Sequence, residues 1–171
     1  MRPFSITAWR STPTTFSPIT IGKPTSAAPV AKEVQYLAAM NVEPRAESAA
    51  VQIIDLTPAA AEALERLAVS LGLEAVRINL DGCTSKTQFL ERTAVALGFP
   101  AWFGGNWDAF FDCLADLSWR PASGHLLVFE NTGDLRRHAP ESLDTAIAIL
   151  NDAAAAWHGR GRTFRAFFAA R

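Results

Sequence analysis

Leu126-Leu127-Val128-Phe129 is an unbroken apolar run, short and closed off by Glu130 and Asn131. A strand with one wet face alternates apolar and polar residues, whereas a short run without alternation is the pattern of a strand buried on both faces in a parallel sheet. The segments around it carry a helical period instead. Ser85 with Gln88 three residues later forms a capping box, and Phe89, Leu90, Ala94 and Leu97 then recur at helical spacing up to Gly98. Leu143, Ile147, Ile149 and Leu150 mark a second amphipathic helix, which Gly159 and Gly161 bring to an end. Strands alternating with helices imply parallel pairing through right-handed crossovers. The expected fold is a small α/β layer structure.

Between these elements, Pro100 to Leu114 is the stretch richest in chemistry. It reads Pro-Ala-Trp-Phe-Gly-Gly-Asn-Trp-Asp-Ala-Phe-Phe-Asp-Cys-Leu, with Trp102, Phe103 and Trp107 around the Gly104-Gly105 turn. Asn106 is a good N-cap and Asp108 falls in the first turn, where a negative charge suits the helix dipole, so a helix is expected over Trp107 to Leu117. At 100° per residue, Phe110, Cys113, Leu114 and Leu117 share one face, while Asp108, Asp112 and Asp116 lie on the other with Phe111 on the flank. The core face is complete without Phe111. Acids spaced in this way are commonly just a solvated helix face, and aromatics beside a Gly-Gly turn are commonly core. Their coincidence with an aromatic loop points instead to a recognition surface, since hot spots combine desolvated aromatics with placed charges.

The apolar fraction of 49 % suffices for a core, and 171 residues suit one domain with appendages. No run approaches the roughly 18 apolar residues of a membrane span. Cys83 and Cys113 read as reduced, buried or semi-buried thiols rather than a disulfide. His125, His138 and His158 are scattered without paired spacing, so no metal is expected and each reads as structural or solvent-facing.

The net charge of −1 conceals a segregation: residues 75–152 hold six Lys and Arg against ten acids, whereas residues 153–171 hold Arg160, Arg162, Arg165 and Arg171 and no acid. An acidic face suits a basic partner; the arginines read as surface charge on a terminal strand.

Residues 1–30 carry five prolines, many Ser and Thr, and no acid before Glu33, which makes residues 1–45 a disordered extension by composition, with Met40 an alternative start. Targeting is disfavoured, because the prolines spoil a long amphipathic helix and no signal-type apolar segment is present. Val51 to Leu56 then reads as a strand, and Thr57-Pro58 as cap and first position of a helix carrying Leu64, Leu67 and Leu71 up to Gly72. This strand and helix, within residues 46–74, either extend the sheet or pack as an adjunct.

The order Pro, aromatic pair, Gly, Asn, Asp, aromatic, Asp-Cys-Leu in residues 100–114 resembles the barstar family, intracellular inhibitors of barnase-type ribonucleases. The resemblance runs over residues 75–171: Ala75–Asp81 looks like the family's first strand, Lys86–Gly98 its first helix, His125–Glu130 its second strand, Pro140–Trp157 its last helix and Arg162–Phe168 its final strand. It implies a mostly parallel three-stranded sheet packed by helices, and a protein that plugs a nuclease cleft with its second helix and the preceding loop. Carried over by position, Asp112 takes the place of the RNA phosphate, Asp108 supports it, Trp102 covers the catalytic groups and Phe111 lies beside them. Phe103 and Trp107 belong to the same surface, Gly104 and Asn106 match the loop's backbone contacts, and Asp152 stands where the family has a glutamate. Trp102 replaces a tyrosine and Phe111 a tryptophan, and the arginine-rich end departs from the family's acidic character. The implied partner is a basic barnase-like ribonuclease, bound one-to-one in the cytoplasm, with no cofactor and no catalysis by this chain.

Three rival readings come from other classes. A metal-dependent enzyme built on Asp108 and Asp112 lacks a nearby His or acid-rich loop to complete a coordination shell. A nucleic-acid binder stacking bases on Trp102, Phe103 and Trp107 would have its acidic helix repel the phosphate backbone. A barstar-fold interaction module with a partner other than a ribonuclease is the remaining alternative, because fold does not fix function.

Overall fold

The computed structural model describes residues 50–169. The extension expected over residues 1–45 and the alternative start at Met40 lie outside the described residues. The chain runs β1 (Val51–Ile54), α1 (Pro58–Ser70), β2 (Glu74–Asn79), α2 (Lys86–Leu97), α3 (Trp107–Asp116), β3 (Gly124–Glu130), α4 (Gly133–His138), α5 (Pro140–His158) and β4 (Thr163–Ala169).

The strands form one sheet in the order β1-β4-β3-β2, with every pairing parallel. The sheet therefore has four strands where the family pattern implies three. The fourth is β1, whose residues Val51 to Ile54 lie in register with Ala166 to Ala169 of β4, so the extra strand and helix extend the sheet rather than forming an adjunct. Chain order explains which side each helix takes. The steps β2 to β3 and β3 to β4 move one strand in the same direction, while β1 to β2 crosses the whole sheet the opposite way. A right-handed crossover in the opposite direction must pass over the opposite face. Accordingly α1 packs Leu64 and Ala68 on Leu126, Val128 and Phe167, while α2, α3 and α5 cover the face that carries Leu127, Phe129, Ala166 and Phe168.

Two-sided cover accounts for the apolar run: from Gly124 to Phe129 every residue of β3 is buried. The edge strand β2 alternates instead, with Val76 and Ile78 buried and Arg77 and Asn79 exposed. The larger core contains an aromatic stack in which Phe129 lies flat on Phe168 at 4.3 Å and Phe89 follows at 5.6 Å. The strand β3 begins against a crowded corner. A Cβ on Gly124 would collide with the Thr163 carbonyl oxygen and stand 2.7 Å from the Leu73 side chain, so only glycine fits without a backbone shift.

Helix ends follow the sequence signals closely. Thr57, Ser85 and Asn106 each accept a backbone N–H of the first turn through their side chains, and Pro140 opens α5. The short helix α4 was not foreseen; it follows Asn131, which turns the chain at φ 57°.

Candidate functional site

The loop before α3 is shaped locally. The Phe103 N–H bonds the Pro100 carbonyl at 2.9 Å, which closes a turn and leaves Trp102 at its outer corner, 58 % exposed. Gly105 takes φ 65°, a left-handed conformation that costs glycine nothing, and so delivers Asn106 to the head of the helix. There the Asn106 Oδ1 accepts the Ala109 N–H at 2.8 Å.

Along α3 the two faces separate as the period requires. Phe110, Cys113 and Leu114 are buried, and so is Leu117 just beyond the helix. Asp108, Asp112 and Asp116 are exposed. Asp108 and Asp112 are one turn apart on the same side, their carboxylates free to converge on one cationic group. The helix is fastened from behind by α5 and the turn after it: the Trp157 Nε1–H donates to the Leu114 carbonyl at 2.8 Å, and Arg160, just beyond α5, donates to the Ala115 carbonyl at 2.6 Å.

Not every aromatic of the stretch faces out. Phe103 is half-buried, edge-on to Phe99 at 5.0 Å. Trp107 is half-buried between Phe89 at 6.1 Å and Phe110 at 5.8 Å, with the Lys86 ammonium 5.2 Å from its ring centre. Phe111 is also half-buried and packs against the edge of the core. This agrees with its place on the flank; helical angles put a residue relative to its own helix and do not show how far the neighbouring layer wraps round it. Asp152 is exposed on α5, the helix packed against α3. The outward-facing set is thus Trp102, Gly104, Asn106, Asp108, Asp112 and Asp152, with part of Phe103, Trp107 and Phe111 beneath it.

Both cysteines are free and buried. Burial, helped by Asp112 and Asp116, pushes the Cys113 thiol up to about 11, which leaves it un-ionised and inert at neutral pH.

A family model described as Barstar (barnase inhibitor) matches residues 73–169, more than half of the chain. The chain belongs to the barstar family. The match takes in every strand but β1 and every helix but α1, so the acidic helix and its loop lie inside the barstar region and the added strand and helix outside it. No curated protein matches the chain. Among the described residues, no helix is long and apolar enough to cross a membrane.

The C-terminal arginines are a feature whose role the sequence concealed. Arg160 and Arg162 each hold a guanidinium 5.8 Å from the Trp157 ring centre, and each donates to a backbone carbonyl, of Ala115 and Ala122 respectively. Both pack on Trp157; Arg160 meets the carbonyl end of α3 and Arg162 the loop before β3, so neither is loose surface charge.

Proposed function

We propose that this barstar-family protein binds a basic, barnase-type ribonuclease one-to-one in the cytoplasm and blocks it by occupancy, with α3 and the Trp102–Asn106 loop seated in the substrate cleft. What carries the reading is the pairing of exposed Asp108 and Asp112 on a helix tied to the core at Leu114 and Ala115, beside an exposed Trp102. A cleft that grips RNA phosphates concentrates Arg, Lys and His. A carboxylate held rigidly there makes charge-assisted, bidentate bonds without losing much freedom on binding. Asp112 takes the phosphate position, Asp108 supports it, Trp102 covers the catalytic groups, and Gly104 and Asn106 offer backbone contacts. Phe103, Trp107 and Phe111 present ring edges and hold the outer residues in place. Asp152 adds a further acid from α5, one methylene shorter than the family's glutamate.

Titration of the purified protein into a barnase-type ribonuclease assay is expected to remove activity in proportion until one equivalent is added, while the protein alone leaves RNA intact. RNA cleavage by the nuclease-free protein would overturn the reading, as would unchanged activity against a panel of barnase-type enzymes.

A further inference from the structure

Below the α3–α5 seam lies an ionisable group that the inhibitory surface does not use. His125, second residue of β3, is 0 % exposed and meets the Trp157 ring edge-on at 4.9 Å. Its Nδ1 lies 3.2 Å from the Glu74 Oε2, yet neither ring nitrogen has a hydrogen-bond partner. Glu74, beside it in register on β2, is already held by Arg120, whose guanidinium reaches the two carboxylate oxygens at 2.5 and 3.0 Å. The segment before β4 brings Arg162, and β4 itself offers only the Phe164 ring in register. The charged groups acting on the imidazole are therefore one carboxylate and two guanidiniums, Glu74, Arg120 and Arg162. The same Trp157 that packs on the imidazole donates its indole N–H to the Leu114 carbonyl of α3.

We propose that His125 is a proton-sensitive wedge under Trp157, which holds the α3–α5 seam only while the ring is neutral and loosens it under mild acid. A proton there would bury a third positive charge against one carboxylate that is already shared. Burial accordingly pushes the ring below the ordinary histidine value, and the opposing pull of Glu74 does not compensate. The direction of the pH effect follows. In the unfolded chain the ring takes up its proton at about pH 6.5, whereas in the fold it does so only at lower pH. Between those two values the unfolded state binds more protons. Stability is complete above about pH 6.5 and declines as pH falls through the window, by up to about tenfold in the unfolding constant per pH unit. The consequence for the partner, that mild acid weakens its grip, rests on the proposed function; the effect on folding does not.

Two measurements on the full chain, with no partner present, test this. The ring proton of His125 is followed by NMR from about pH 8 to about pH 5, and is expected to titrate below the unfolded value of about 6.5. Denaturant unfolding is compared at about pH 7 and about pH 5.5 for the wild type and His125→Phe, which keeps an aromatic ring against Trp157. The wild type is expected to lose several-fold to about tenfold more in its unfolding constant than the variant. A His125 ring titrating at or above the unfolded value in the folded protein overturns the proposal. Identical pH dependence in wild type and variant does so too, and if the variant does not fold, the NMR titration alone decides.

Discussion

At the scale of single residues, α3 sets neighbours with opposite duties side by side. Asp112 is exposed and Cys113, next to it, is buried; Phe110 is buried and Phe111 half so. If Asp112 fills a phosphate subsite, Asp112→Ala is expected to weaken ribonuclease binding by about 2 to 5 kcal/mol, a range in which the barnase–barstar pair is itself a worked case. Its unfolding midpoint should move by no more than about 0.5 kcal/mol equivalent, as for other surface changes. Phe110→Ala should behave oppositely, costing about 3 to 5 kcal/mol of stability because its ring is enclosed. Phe111→Ala should fall between, losing some affinity and some stability together. Paired binding and denaturation curves on the three variants check this, and wild-type affinity in Asp112→Ala would remove α3 from the binding surface.

At the scale of elements, the apolar run of β3, the Ser85 cap before α2, the Thr57-Pro58 start of α1 and the Asn106 cap were all legible, because each is a local rule satisfied locally; the other half of the capping box is replaced, Gln88 accepting the Thr84 N–H. Asp108 and Asp112 were legible as exposed for the same reason, whereas the outward place of Trp102 came from the family resemblance. What the sequence withheld was contact between layers. The inward turn of Trp107 depends on Phe89 from another helix, and the seating of Trp157 depends on arginines beyond its own helix. The tight start of β3 is a contact of this kind. Gly124→Ala puts a methyl group against the backbone of β4, and overpacking of this sort costs typically 1 to 3 kcal/mol, or about that here. Thermal unfolding of the variant should show a fall in Tm of several degrees; an unchanged Tm would mean that β3 and β4 part easily at this end.

At the scale of the whole molecule, the barstar-family region accounts for three strands, and β1 adds a fourth at the β4 edge, with α1 closing the second face. Residues 1–45 offer little to this architecture on composition, so a chain shortened to begin at Ala46 is expected to keep its Tm and its affinity for the ribonuclease. A loss of many degrees on shortening would show that the proline-rich segment is structural. Removing β1 as well should be costly, since Val51 is buried and Ile54 packs with α1 on the second face.

The Arg160 contact at the carbonyl end of α3 has a consequence for how two molecules meet. Asp108 opens the helix, and Arg160 closes it at Ala115, about 10 Å further along its axis. A net charge of −1 gives a basic partner little to pull on. Arg160 and Asp116 offset one another at the far end of α3, whereas Asp108 and Asp112 stand uncompensated nearer its start, and that uneven charge gives it something to turn. In the field of a cationic cleft the approaching protein feels a torque that swings the Asp108–Asp112 stretch inward, so it arrives already aimed before any contact forms.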